Sequence, residues 1–238
     1  MRTVVVSGSF DDLRSQHIRF LEEAGKLCQL HVLLWSDKLA PNAKFPVAER
    51  RYLVEAIRYV DQVHVVDDPQ DTGSLKPDLW VKEESLSLDG FPVPPPMPTP
   101  PGRKKVIVTG CYDWFHSGHV RFCEEASAYG DLYVCLGSDK NVRLLKGEGH
   151  PFLCEEERRH VVGSIKFVKQ ALITTGEGWL DADPEIRRLK PDIYAVNEDG
   201  DKGGKREYCQ KLGIQYLVLK RTPAPGLPKR SSTDLRGF

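Results

Sequence analysis

The chain has 238 residues, and its 34 basic and 34 acidic side chains give a formal net charge of zero at pH 7. This length allows one large domain or two small ones, and the balanced charge excludes a global field that attracts nucleic acid or a membrane surface. No apolar stretch approaches the roughly 20 residues of a membrane span, and the amino terminus lacks the anatomy of a signal peptide. We therefore expect a cytoplasmic protein that binds no nucleic acid.

The first predicted elements recur later in the chain. Residues 8–24 (GSFDDLRSQHIRFLEEA) match residues 110–126 (GCYDWFHSGHVRFCEEA) at nine of seventeen positions. Further matching pairs keep the same order: SDK at 36–38 and 138–140, ERR at 49–51 and 157–159, and LKPD at 75–78 and 189–192. We interpret this as a tandem repeat whose second copy carries two insertions.

Each copy alternates short β-branched runs with amphipathic stretches. In the first copy we predict strands at 3–10, 30–35, 62–66 and 78–81, with helices at 17–28 and 47–59. In the second copy we predict strands at 105–112, 132–137, 170–174, 192–196 and 214–219, with helices at 119–129, 155–167 and 203–212. Such alternation predicts an α/β fold with a doubly wound parallel sheet in each half.

A proline-rich segment, GFPVPPPMPTPPG, separates the copies and has seven prolines in positions 92–101. Proline fixes φ and donates no hydrogen bond, so we expect an extended, semi-rigid spacer rather than a packed element. The resulting division is a first domain at 1–85, a linker at 86–103 and a second domain at 104–238.

The second copy places His116, Gly118 and His119 between a predicted strand and the helix that follows it. In an open parallel sheet, ligands bind at the carboxyl ends of the strands, where the first turn of a helix offers unpaired N–H groups and a partial positive charge. Imidazole donates hydrogen bonds to phosphate oxygens. The pattern therefore favours charge stabilisation on a polyphosphate, with Gly118 leaving room for the phosphate to approach the backbone.

Several motifs of the second copy occur together in one known family. GCYDWFHSGH (110–119) resembles the G-x-[FY]-D-x-x-H-x-G-H signature of the cytidylyltransferase-like nucleotidyltransferases, which adopt a Rossmann-like fold. VRLLKGEGHP (142–151) resembles the mobile lysine loop of that family, and EEERRHVV (155–162) its E-x-R helix. RTPAPGLPKRSSTDL (221–235) resembles, with an insertion, the family's R-T-x-G-[IV]-S-T-T motif.

The resemblance implies a site and roles for its members. The catalytic set, which would stabilise the triphosphate, close over it and neutralise substrate phosphate, is His116, His119, Lys146 and Arg158. The nucleotide-binding set is Gly110, Cys111, Tyr112, Asp113, Gly118, Asp199, Arg221, Thr222, Ser231, Ser232 and Thr233. The last three residues would cap a final helix, and Mg²⁺ would arrive with the triphosphate rather than in a metal site of the protein. Asn197, Glu198 and Lys169 depart from the family's usual residues, which leaves the nucleotide and the acceptor open.

The first copy has lost most of this set. It keeps His17, but Arg14 stands for the first histidine and Gln16 for the glycine, and it has no lysine loop. We therefore expect it not to catalyse but to act as a built-in partner in an intramolecular pseudo-dimer, as relatives usually work as dimers. A homodimer and a relic site for another anion are further possibilities.

The resemblance implies a nucleotidyltransferase. We favour transfer of CMP from CTP to a small phosphorylated acceptor, a polyol, amino-alcohol or sugar phosphate, with release of pyrophosphate. One alternative is an adenylyltransferase that uses ATP and a sugar phosphate. An alternative from another class is a catalytically inactive nucleotide-binding scaffold or sensor. The second copy argues against it because it retains the set of His116, Lys146 and Ser231–Ser232.

Overall fold

The computed structural model describes residues 2–232 and Leu235, and these residues form two parallel sheets flanked by helices. The α/β class predicted from the sequence is confirmed. In this part of the chain, every helix is too short or too polar to cross a bilayer.

The first sheet has the strand order β3-β2-β1-β4, and all its neighbours are parallel. The elements of this half, in chain order, are β1 (Thr3–Gly8), α1 (Ser15–Leu27), β2 (Gln29–Trp35), α2 (Val47–Glu55), β3 (Gln62–Val66), β4 (Leu79–Trp80) and a 3₁₀ turn (Glu83–Ser85).

The second sheet has the order β7-β6-β5-β8-β9, again with parallel neighbours. Its half contains β5 (Lys105–Gly110), α3 (Ser117–Ser127), β6 (Asp131–Leu136), α4 (Asp139–Lys146), α5 (Glu155–Gly163), β7 (Val168–Ile173), α6 (Asp183–Leu189), β8 (Ile193–Asn197), α7 (Lys205–Leu212) and β9 (Gln215–Leu219), with 3₁₀ turns at Gly178–Leu180 and Glu198–Gly200. The order of the first sheet, β3-β2-β1-β4, is thus the same as that of four neighbouring strands of the second sheet, β7-β6-β5-β8. The tandem repeat remains our interpretation of the sequence.

The central strands, β1 and β5, form because their valine and isoleucine side chains are buried on both sheet faces. Val4–Val6 and Val106–Val108 are almost fully buried, as expected for a parallel sheet covered by helices on both sides. Each strand ends at the edge where the next helix begins. The crevice between β5 and β8, where the chain changes direction across the sheet, is therefore the expected ligand position of the second half.

Two helices were not predicted from the sequence. The helix α4 occupies much of the segment expected to be a lysine loop, because Ser138 caps it by accepting a hydrogen bond from the Asn141 backbone and Val142 is buried. The helix α6 begins with Pro184 in its first turn, a position that suits proline.

The two halves are joined through a shared apolar core. Ile57 and Ile165 are fully buried and form an antiparallel bridge, flanked by hydrogen bonds from Arg58 N to Ser164 O (2.9 Å) and from Lys166 N to Ala56 O (2.8 Å). Burying a large aliphatic side chain contributes about 1.5–3 kcal/mol. The halves are therefore packed together rather than only tethered.

The proline-rich segment is also more than a spacer. As expected, it has no regular secondary structure and is mostly exposed. However, Pro94 is buried, with side-chain atoms near Gly163, and Met97 N donates to Lys169 O of β7 (2.9 Å). The expectation of an unpacked linker is wrong here, because the extended proline run follows the surface of α5 and β7.

The shared core predicts that the halves stay together without a covalent link. If a protease site is inserted between Pro101 and Gly102 and then cleaved, the two pieces should co-elute in size-exclusion chromatography at the volume of the uncleaved chain. Pieces that elute separately under native conditions would show that the interface is too weak to hold them.

Candidate active site

A cavity of about 350 Å³ lies at the carboxyl ends of β5 and β8, beside the first turn of α3. It brings together most of the residues predicted from the sequence. Those that line it are Gly110, Cys111, Tyr112, Asp113, His116, Gly118, His119, Lys146, Asp199, Arg221, Ser231 and Ser232. Thr222 and Arg158 are not among its lining residues, and Thr233 lies outside the described residues.

The two histidines stack on each other at the start of α3, with ring centroids 3.9 Å apart. His116 is the N-cap residue of this helix, and its Nδ1 accepts a hydrogen bond from Gly118 N (3.1 Å). An accepting nitrogen carries no proton, so Nε2 is the ring atom left to donate. Nε2 lies 3.4 Å from the Ser232 hydroxyl, at the cavity wall.

The second histidine is held without charge. Burial lowers the pKa of His119 well below 6.5, and the nearby His116, Arg221 and Lys146 lower it further. Its buried Nδ1 has no hydrogen-bond partner among the described residues, and an unpaired buried polar atom is costly. The His119 ring lines the cavity, while its Nδ1 is buried away from it.

Gly118 is required by close packing at the turn. A Cβ at this position would lie 2.9 Å from the His116 ring and 3.2 Å from Arg230 O. The glycine thus lets the imidazole and the carboxyl-terminal segment approach the helix start together, a role beyond the phosphate access that the sequence suggested.

Three cationic side chains surround the cavity. Lys146 is the last residue of α4 rather than part of a loop, and Gly147, with φ of 88°, ends that helix. Arg221 pairs with Asp199 and donates to Arg230 O (2.9 Å). The predicted role of Asp199 in nucleotide binding therefore competes with its ion pair to Arg221.

The third cation, Lys205, was missed by the sequence analysis. It is the first residue of α7, lines the cavity and donates from Nζ to Gly200 O (3.1 Å). Burial lowers its pKa. The two glycines before it were the available signal: Gly203 has a left-handed backbone (φ 69°), and Gly204 is the N-cap residue of α7.

Arg158 does not face substrate. Its side chain is fully buried, and its guanidinium donates to Leu153 O (3.0 Å), Cys111 O (2.8 Å) and Asp139 (2.6 Å). The expectation that it neutralises substrate phosphate is wrong, because its donors hold the loop that precedes α5. Asp113 serves the same loop by accepting from Phe152 N and Leu153 N (2.8 and 3.1 Å).

The first half repeats this loop network. Arg50 is fully buried and donates to Phe45 O (2.9 Å), Ser9 O (2.7 Å) and Asp37 (2.7 Å). Asp11 accepts from Lys44 N and Phe45 N (2.7 and 3.0 Å). Because the network persists where the histidine pair is absent, its role is to shape the loop rather than to contact substrate.

One buried carboxylate of the first half reaches the second-half site. Glu49 is fully buried, accepts from the Ser117 hydroxyl (2.6 Å) and pairs with Arg230 (2.9 Å). Ser117 lies between the two histidines. The reciprocal contact also exists, since the Ser15 hydroxyl of the first half donates to Glu157 of the second. Glu49 thus positions both the histidine turn and the carboxyl-terminal segment.

Comparison with known proteins agrees with this geometry. A family model described as Cytidylyltransferase-like matches residues 107–237, more than half of the chain. The chain belongs to the cytidylyltransferase-like family. It is therefore a member of a nucleotidyltransferase family, as the histidine signature predicted.

Individual relatives carry two kinds of name. The FAD synthase of Ferroglobus placidus is 40% identical over 120 residues, which are 49% of this chain and 75% of that protein. The bifunctional protein HldE of Aliarcobacter butzleri is 32% identical over 120 residues, 50% of this chain but only 24% of that protein. A crystal structure of the lipopolysaccharide core biosynthesis protein from Thermoplasma volcanium matches with 24% identity and a TM-score of 0.43, over 52% of this chain and 99% of that one.

The contacts of Glu49 predict a long-range effect on the site. Glu49→Gln removes the charge that pairs with Arg230 and should destabilise the fold by about 1–3 kcal/mol while weakening triphosphate binding roughly tenfold. Calorimetric titration with ATP or CTP in the presence of Mg²⁺ measures the affinity. The matched control is Glu157→Gln, which breaks the reciprocal contact to Ser15; equal losses of affinity in both variants would contradict this role of Glu49.

The environment of His119 predicts a proton uptake on ligand binding. In the free protein its pKa is well below 6.5, so the ring is neutral at pH 7, and a bound triphosphate should raise that pKa because the anion favours imidazolium. Affinity should then rise as the pH falls from 8 to 6. NMR titration of ¹³C-labelled histidine rings, with the His119 signal assigned by means of the His119→Gln variant, measures this pKa with and without nucleotide. An unchanged His119 pKa at saturating nucleotide would refute the prediction.

Proposed function

We propose that the second half transfers a nucleotidyl group from a nucleoside triphosphate to a small phosphorylated acceptor and releases pyrophosphate. The observation that supports this most is the stacked pair of His116 and His119 at the start of α3, where both rings line the cavity. Lys146, Lys205 and Arg221 line the same cavity. Together they offer hydrogen-bond donors and positive charge to a polyphosphate.

In this mechanism an oxygen of the acceptor phosphate attacks the α-phosphorus of the triphosphate. The new P–O bond forms as the bond between the α-phosphorus and the bridging oxygen to the β-phosphorus breaks, and pyrophosphate leaves with that electron pair. No protein nucleophile is needed. The protein's part is to hold both reactants in line and to stabilise the charge that grows on the bridging oxygen, and Mg²⁺ enters with the triphosphate as part of the substrate.

His116 and His119 would act on different atoms. His116 Nδ1 is engaged by Gly118 N, so its Nε2–H would donate to a phosphate oxygen. The His119 ring would carry positive charge beside the phosphates after taking up a proton with the triphosphate. Lys146, which is exposed at the end of α4, would pair with the outer phosphates.

For the nucleotide, we propose ATP first. The name FAD synthase denotes an enzyme whose product contains an adenylyl group joined to a flavin phosphate, and that relative is similar to this chain over three quarters of its own length. CTP is the second candidate, because the GCYD stretch (110–113) and the Arg221-Thr222 pair resemble the lipid-precursor cytidylyltransferases.

The first half, residues 1–85, would then be a non-catalytic partner joined by residues 86–103 to a catalytic half at 104–238. It lacks the histidine pair, with Arg14 in place of the first histidine. It contributes Glu49 behind the site. This proposal predicts a clear division of labour between equivalent residues.

Substitution of the equivalent histidines tests that division. His119→Ala should lower turnover by roughly 10²–10³-fold, the usual effect of removing one donor to transition-state charge, whereas His17→Ala should leave turnover within about twofold. Pyrophosphate release with sugar, polyol and amino-alcohol phosphates and with flavin mononucleotide as acceptors provides the assay. Comparable losses in both variants would contradict the division, and nucleotide binding without pyrophosphate release from any acceptor would favour the scaffold reading.

Thermal unfolding distinguishes the two nucleotides. A ligand that binds only the folded state stabilises it by RT ln(1 + [L]/Kd), so ATP with Mg²⁺ should raise the Tm more than CTP at the same concentration. His119→Ala serves as the control and should show a much smaller shift with either nucleotide. A larger shift with CTP would overturn the choice of ATP while leaving the reaction class in place.

A further inference from the structure

A larger cavity, of about 820 Å³, lies in the first half at the carboxyl ends of β1 and β4. This size is within the range of small-molecule sites. Its lining combines aromatic rings, among them Trp35 and Trp80, with polar and charged groups that include His17, Lys82, Glu83 and Glu84.

Sheet register shows that this cavity is the counterpart of the candidate active site. Val5 pairs with Trp80 in the first sheet, as Ile107 pairs with Tyr194 in the second. Phe10 follows β1 with a left-handed backbone (φ 45°), as Tyr112 follows β5 (φ 57°). Both cavities lie at the point where the strand order reverses, which is where open α/β sheets bind ligands.

The chemistry of the two cavities differs. Arg14 occupies the place of His116, but its guanidinium is paired with Asp12 and lies over the Trp114 ring, 4.4 Å from the centroid. Gln16 occupies the place of Gly118. His17 Nδ1 accepts a hydrogen bond from Arg14 N (3.0 Å), and burial lowers its pKa. The stacked histidine pair of the candidate active site therefore has no counterpart in the lining of this cavity.

The charged groups that do line it are two carboxylates, Glu83 and Glu84, and one ammonium group, Lys82. All three are exposed at the rim. The candidate active site has the opposite balance, with three lysine and arginine side chains against two aspartates. An anionic ligand is thus disfavoured in the first-half cavity and a cationic one favoured.

The aromatic walls supply the binding surface. Trp35 is fixed because its Nε1 donates to the Ser7 hydroxyl (2.8 Å). Trp80 lies in β4, which is the edge strand of its sheet, and 43% of its surface is exposed. An indole that is partly exposed in a cavity also lined by carboxylates suits a flat ring with a positive charge, through stacking and cation–π attraction.

We propose that the first-half cavity binds a small aromatic molecule that carries a positive charge and no phosphate. The site is separate from the nucleotide site and does not depend on the proposed reaction. It also replaces the possibility of a relic anion site, because the carboxylates at its rim repel an anion.

Two probes that share one ring system and differ in charge test this proposal. Tryptamine is an indole with an ammonium group, and indole-3-acetate is an indole with a carboxylate. We would titrate each into the full chain by calorimetry, in the presence and absence of saturating ATP with Mg²⁺. Tryptamine should bind at one site, at least about tenfold more tightly than indole-3-acetate, and ATP should not displace it.

Variants assign the site. Trp80→Ala should weaken tryptamine binding about tenfold or more, Trp80→Phe should retain most of it, and Glu83→Gln combined with Glu84→Gln should remove the preference for the cation. His119→Ala, in the other cavity, should have no effect on tryptamine. The proposal is overturned if neither probe binds, if indole-3-acetate binds as tightly as tryptamine, or if ATP or His119→Ala abolishes tryptamine binding while Trp80→Ala does not.

Discussion

The buried carboxylate of Glu49 connects the two halves at the point where their chemistry meets. A carboxylate that is removed from water must be paired and hydrogen-bonded, and Glu49 meets this demand with Ser117 and Arg230 of the second half. Arg230 in turn accepts from Arg221 through its carbonyl oxygen. A single residue of the first half therefore constrains the histidine turn, the carboxyl-terminal segment and a cation of the cavity.

The halves share a scaffold and differ in what the scaffold carries. Arg50 with Asp11, and Arg158 with Asp113, build the same loop in each half from equivalent hydrogen bonds. On this common frame one half carries two stacked imidazoles and a net excess of cations, and the other carries tryptophans and glutamates. The retained scaffold explains how a half without the histidine pair keeps its fold and its cavity.

The strands of the fold and the position of the candidate site were predictable from the sequence, because buried strands and turns leave local patterns of residue types. The valine runs of β1 and β5 predicted parallel strands, and the HxGH spacing predicted a site at the end of β5. Local patterns do not show which polar side chain faces a ligand. Arg158 has a side chain that commonly binds phosphate, but it is fully buried and donates to the loop that precedes α5. Lys205 lines the cavity because it is the first residue of α7, which follows the end of β8. The contact of Glu49 with Ser117 joins residues 68 positions apart and has no local signature.

The central claim is that the imidazole pair of the second half holds the triphosphate. A crystal structure of the chain with Mg²⁺ and the α,β-methylene analogue of ATP, which cannot be cleaved at the α–β linkage, tests it most directly. We expect phosphate oxygens within hydrogen-bond distance of His116 Nε2 and of a ring nitrogen of His119, at the first turn of α3. Density for the analogue in the first-half cavity alone, or phosphates held away from both rings, would contradict it.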